Sequence, residues 1–135
     1  MISIRDIREG LLQLILPHTC AGCGSDTLQV DSSICLECLH RLPATHYAHF
    51  NDNPVERKFI GRLPLQAASA QYYFFKQSII RQLMHLLKYR GYIDLGVQLG
   101  QLMGEQLQES GRFNKVDMLV PLPLSPARMR KRGYN

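Results

Sequence analysis

Tryptophan is absent from this sequence, and so is any long apolar run. With six Tyr and five Phe among 135 residues, aromatic rings can contribute to a core without dominating it. A membrane-spanning helix needs about 20 nearly uninterrupted apolar residues. The longest stretch free of polar side chains here is Met118 to Leu124, prolines included, which excludes a span. The opening Met1–Gly10 mixes charges of both signs and lacks the apolar stretch of a secretory leader, so a cytoplasmic protein is expected. Apolar residues at 45% and charged residues at 20% exclude a disordered or collagen-like chain. The length corresponds to one domain of average size.

Acids are scarce toward the end, where none follows Asp117. Arg128, Arg130, Lys131 and Arg132 fall within five residues of one another in that region. The overall charge of +5 and pI of about 9.2 permit anionic partners without demanding them. A solvated helix end or tail is the plainer reading of such a run.

The only cysteines are Cys20, Cys23, Cys35 and Cys38. Two C-x2-C pairs separated by eleven residues suit a Zn²⁺ ion held by four thiolates, one knuckle supplying each pair. Gly22 and Gly24 ease the backbone where it turns toward the ion. The spacer, with Leu28-Gln-Val30 between polar ends, predicts a short hairpin, and the pattern as a whole a zinc ribbon. This spacer is shorter than the roughly 15–20 residues common between paired knuckles. Two disulfides are the alternative, disfavoured by a reducing compartment. A redox C-x-x-C is another, but that motif normally occurs once, near a βαβ pattern. A closed set of four thiolates leaves no position for a reacting water, so the metal is expected to be structural. His18 and His40 lie near the knuckles and could replace a thiolate, whereas His46, His49 and His85 have no ligand spacing.

Four parts follow along the chain. Residues 1–16 predict an amphipathic helix, with Ile4, Ile7, Leu11, Leu14 and Ile15 on one face and Pro17 as its stop. Residues 17–42 form the cysteine module. Residues 43–66, polar and broken by Pro43, Pro54 and Pro64, read as a linker with one short helix around Pro54 to Ile60. Residues 67–135 open with the aromatic run Ala67 to Phe75, which reads as a strand. Helices are predicted over Gln77 to Arg90, stopped by Gly91, and over Ile93 to Ser110, stopped by Gly111. Gly96, Gly100 and Gly104 each cost about 1 kcal/mol relative to Ala inside a helix. Their four-residue spacing suggests a flat stripe approached closely by another element.

Val116 to Leu124 is apolar without alternation, as in a buried strand of a parallel sheet. Pro121 and Pro123 cannot donate to a ladder, so pairing on that side should end near Val120. Ser125 and Pro126 then supply an N-cap and first-turn proline for a helix carrying the basic cluster. Two strands are too few for a parallel core. The expectation is that further chain, rather than a second molecule, supplies the missing strands.

Three segments together resemble the ComF family of phosphoribosyltransferase-like competence proteins, which includes the GntX-type proteins. These are the paired C-x2-C knuckles, Leu83-Met-His-Leu-Leu-Lys88-Tyr89-Arg-Gly91, and Val120-Pro121-Leu-Pro123-Leu124-Ser125-Pro-Ala-Arg128-Met-Arg-Lys-Arg132-Gly133-Tyr134-Asn135. The last is similar to a family signature in which Val usually stands at Leu122 and Phe at Tyr134. The resemblance implies an α/β fold: a four-cysteine zinc ribbon joined to the first part of a type I phosphoribosyltransferase parallel-sheet domain. It also implies transfer of ribose 5-phosphate from PRPP, usually with Mg²⁺. The loop Leu124 to Arg128 would touch pyrophosphate, with Ser125, Arg128, Arg132 and Lys88 as phosphate contacts, since guanidinium offers forked donors to phosphate. The family's paired acids and Thr-Thr-Gly turn, which hold the ribose and its 5-phosphate, have no counterpart in these residues. Residues 1–135 are therefore expected to be a fragment without catalysis of its own. A role in DNA uptake, with single-stranded DNA or competence-machinery proteins as partners, belongs to the same resemblance. The alternative is a non-catalytic zinc-ribbon adaptor for single-stranded nucleic acid or protein.

Overall fold

A computed structural model describes residues 19–26, 28–29 and 32–135, and every structural statement below concerns these residues. The helix expected within residues 1–16 lies outside them, as do His18 and part of the spacer between the knuckles.

Helices carry the architecture. They are α1 (Leu36–His40), α2 (Pro54–Arg57), α3 (Ile79–Tyr89), α4 (Ile93–Glu109) and α5 (Pro126–Arg132), with a 3₁₀ turn at Tyr47–His49. The two long helices form where apolar residues recur at three and four, and each is closed by a glycine in the left-handed region, Gly91 (φ 75°) and Gly111 (φ 68°). They pack against each other as a hairpin. At α5, Ser125 caps the helix start, Pro126 occupies its first turn, and Gly133 ends it at φ 83°.

The core joins this hairpin to the cysteine module. Ile80 and Leu83 from α3 and Leu95 and Leu99 from α4 bury together with Ile34, Leu42 and three of the cysteines. Burial of a Leu or Ile side chain contributes about 1.5–3 kcal/mol, so this cluster holds the module and hairpin together. Two glutamines set the register. On α3, Gln82 Nε2 donates to the carbonyls of Ala21 and Gly22 (3.0 and 3.1 Å). On α4, Gln98 accepts from the Ser33 N–H and donates to Ser32 Oγ, both at 3.0 Å.

The parallel-sheet α/β fold is not what the chain adopts. Among the described residues there is no sheet, only one antiparallel bridge between Ala44 and Tyr72. The aromatic segment expected as a strand over 67–75 is thus paired at a single point, against residues 43–45. The run expected as a buried strand, Val116 to Leu124, forms no strand and is open to solvent except at half-buried Leu124, with Leu119 87% and Leu122 89% exposed. A ladder is a property of two segments, and no described segment pairs its backbone with this one in a ladder. The described spacer residues likewise contain no paired strand.

The glycine stripe is also revised. A Cβ on Gly96 would lie 2.8 Å from Leu87 Cδ1, a true close approach. At Gly100 and Gly104 no described atom would lie within 4 Å.

Residues 43–66 are tied to the rest by two polar hubs. Buried Asn53 caps α2 through its side-chain oxygen, while its Nδ2 donates to the carbonyls of Tyr47, Phe50 and Ala68. Arg112, just beyond α4, pairs with Glu56 and donates to the carbonyls of Ala48 and Phe50.

Candidate metal centre

The four cysteines converge. All four Sγ atoms lie within 4.8 Å of one another, and Cys23 and Cys35 approach to 3.7 Å. A tetrahedron with Zn–S bonds of about 2.3 Å sets its sulfurs about 3.8 Å apart. All four are free thiols, so the disulfide alternative does not describe this arrangement. Cys20, Cys35 and Cys38 are buried, and Cys23 closes the solvent side.

Each knuckle is shaped by its own backbone. In the first, Gly24 N–H donates to the Cys20 carbonyl (2.8 Å), the Cys20 N–H to that of Ser25 (2.8 Å), and the Gly22 N–H to Cys20 Sγ (3.3 Å). Gly24 takes φ 76°, which a side chain resists. At Gly22 the reason is space: a Cβ would lie 2.8 Å from both Cys38 Sγ and Ile79 Cδ1. In the second knuckle Cys35 caps α1, its sulfur accepting from the Cys38 N–H at 3.5 Å. The Cys35 N–H in turn donates to Cys20 Sγ at 3.2 Å, joining the knuckles. N–H groups aimed at sulfur favour thiolates over thiols.

The titration of the group separates its members. Hydrogen bonds from Ser25, hydroxyl before N–H, draw the Cys23 thiol down to about 6. Burial pushes Cys20 up, but hydrogen bonds from the N–H groups of Cys35, Cys23 and Gly22 outweigh it and leave the thiol below its ordinary value. Cys38 is pushed well up, first by burial and then by the neighbouring thiols of Cys23, Cys35 and Cys20. Four sulfurs this close cannot all ionise by themselves. A dication removes that conflict, so the donor set fits a metal cation held by four sulfurs.

The expected phosphate contacts fall in two places. Arg128 and Arg132 lie on α5, which Ser125 caps, its side chain accepting from the Arg128 N–H at 3.5 Å. Arg128 and Arg132 are one turn apart and therefore share a face. The Arg132 guanidinium lies over the Tyr134 ring at 5.2 Å. Lys88 stands exposed in the last turn of α3, and no described hydrogen bond joins it to α5. Neither of two shallow cavities reaches α5. One of about 280 Å³ is lined by His46, His49, Tyr72, Glu105 and Glu109 among others, and one of about 190 Å³ lies between Glu56 and Leu65. His40 is exposed at the end of α1 and is not among the four ligands.

The aromatic run Tyr72 to Phe75 lies largely at the surface. Only Tyr72 is partly buried, and desolvation raises its phenol above the ordinary value. Tyr73 is 41%, Phe74 64% and Phe75 56% exposed. The rings of Tyr73 and Phe75 stack at 5.9 Å and 18°, and Tyr47 meets Tyr73 edge-on at 5.7 Å with their hydroxyls 2.8 Å apart. A signal for this surface was present in the charges. From Arg57 to Ile93 there are seven Lys or Arg and no Asp or Glu. No described helix is long and apolar enough to cross a membrane. Comparison with known proteins finds no matching family model, no similar curated protein and no similar solved structure.

Proposed function

We propose that the chain is a ComF-like protein in which Cys20, Cys23, Cys35 and Cys38 hold one structural Zn²⁺ and the α5 segment binds phosphate groups of the PRPP type. The observation that carries the metal half is the convergence of four free sulfurs at tetrahedral spacing. With every position taken by sulfur, the ion orders the chain and leaves no place for a substrate oxygen. The phosphate half rests on the resemblance together with Ser125 capping the short helix that carries Arg128 and Arg132. Phosphoribosyl transfer, with Mg²⁺, belongs to the ComF-like reading. Residues that would hold the ribose hydroxyls are not found in this sequence, so binding without turnover is expected of these residues alone.

Metal analysis of the purified protein should return one zinc per chain, and a strong chelator should abolish cooperative unfolding of the cysteine module. A chain that stays equally stable with its zinc removed would refute the structural role. For the phosphate half, calorimetric titration with PRPP should show binding that Arg128→Ala and Arg132→Ala together weaken at least tenfold. No binding by the parent chain would leave that half without support.

A second reading is a zinc-bearing adaptor for single-stranded nucleic acid. The observation that favours it is the exposed aromatic cluster within a stretch free of acids.

A further inference from the structure

We propose that Tyr47, Tyr73 and Phe75 form a rail on which the bases of a single-stranded nucleic acid stack, with Lys76 and Arg81 meeting the phosphates. The inference rests on the nucleic-acid reading above and names the surface that would carry it.

A ring in contact with two others, as Tyr73 is with Tyr47 and Phe75, normally marks a core, yet here Tyr73 and Phe75 keep 41% and 56% of their surface in water. The side chains of residues 73 and 75 lie together, their rings 5.9 Å apart. Their near-parallel rings already stack on each other at 5.9 Å, a stack that an unpaired base can extend because every base has a π-face. The rail is also pre-set. The Tyr47–Tyr73 hydroxyl bond holds two rings in place, and Ser78 Oγ donates to the Phe75 carbonyl at 2.8 Å and accepts from its N–H at 3.3 Å. Side chains fixed before binding lose less freedom when a ligand arrives.

Charge selects the ligand. Arg81 Nη1 donates to the Lys76 carbonyl at 2.6 Å, which stations a guanidinium at the residue following Phe75. Both cations are exposed, and neither forms an ion pair with a described acid. Glu105 and Glu109 line the cleft that Tyr72 faces. Tyr47, Tyr73 and Phe75 do not line that cleft. Aromatic rings interleaved with unopposed cations match a flexible polyanion with exposed bases. A duplex, with its bases already stacked, cannot use the rings.

The test is fluorescence anisotropy of a labelled oligothymidylate against the full zinc-loaded chain, across a salt series. The expected result is binding that the duplex of the same length matches poorly and that quenches tyrosine emission. Tyr73→Leu with Phe75→Leu keeps apolar bulk but removes the π-surface. It should weaken binding about tenfold or more per ring, since stacking contributes on that scale, with the salt slope unchanged. Lys76→Gln with Arg81→Gln should lower that slope by about 1.4, from two single-strand phosphate contacts. Zinc content and circular dichroism establish that each variant is folded. Oligothymidylate binding indifferent to the ring variants overturns the rail while leaving the nucleic-acid reading standing. No binding by the parent chain removes both. Preference for a poly-glutamate peptide, with the same ring dependence and no oligonucleotide bound, makes the surface a protein-docking face and overturns the proposal.

Discussion

The cysteine module and the segment from Val116 to Asn135 have similar shares of apolar residues and opposite fates. In the module, Ile34, Leu42 and three cysteines find Ile80, Leu83, Leu95 and Leu99 waiting on α3 and α4, and polar ends are tied by Gln82 and Gln98. In the later segment Met118, Leu119, Val120 and Leu122 meet solvent, and the described contacts there are local, such as Asn135 Nδ2 donating to the Leu122 carbonyl at 3.1 Å. Apolar composition makes burial favourable only when a complementary surface exists. The first region has one within the described residues; the second does not.

The contrast can be broken most directly at single leucines. Leu83→Ala empties a fully buried site and should cost about 3 kcal/mol. Leu119→Ala should change stability by less than about 0.5 kcal/mol. Urea midpoints of both variants decide it, and comparable losses would mean that the later segment is packed after all. Next in size, Gly22→Ala forces a methyl against Cys38 Sγ and Ile79, with an expected loss of about 2 kcal/mol and faster zinc release to a chelator. Gly24→Ala meets no atom within 4 Å and strains only φ, so its effect on zinc release should be smaller.

A charged pair sharpens the comparison further. Burial raises the Glu56 carboxyl, but hydrogen bonds from Arg112 and the Ala68 N–H outweigh it, and the folded group lies below its ordinary value. A carboxyl lowered on folding contributes stability that is complete above its unfolded value of about 4.3. That contribution is lost as pH falls through the folded value. Glu56→Gln should therefore cost about 2 kcal/mol at pH 7 and much less at pH 3, read as the difference in urea midpoints. An equal cost at both would show that the charge is unimportant. The smallest effect has the opposite sign. Gly100→Ala, on a helix position with open space around it, should stabilise the chain by up to about 1 kcal/mol in thermal unfolding. Gly96→Ala, against Leu87, should not.

Much of the local structure was legible beforehand. The helices around Ile79–Tyr89 and Ile93–Glu109, their glycine stops, and the Ser125-Pro126 start of α5 depend on neighbours a few residues away, and so does each C-x2-C knuckle. The metal centre was readable because its two halves carry matched, chemically distinctive ligands. The exposure of the aromatic run was not, because Tyr72, Tyr73, Phe74 and Phe75 look alike in sequence, and only Tyr72 is partly buried. Nor was Asn53 visible as a hub: its three carbonyl partners come from turns whose meeting no local pattern announces.

Helical periodicity, caps and thiol spacing are short-range matters, so the order of residues alone determined them in this protein. Strand pairing, the burial of Val116 to Leu124 and the exposure of Tyr73 and Phe75 were decided only in three dimensions. The physical reason is that a backbone ladder or a buried face needs a second surface, and whether one arrives depends on how distant segments meet.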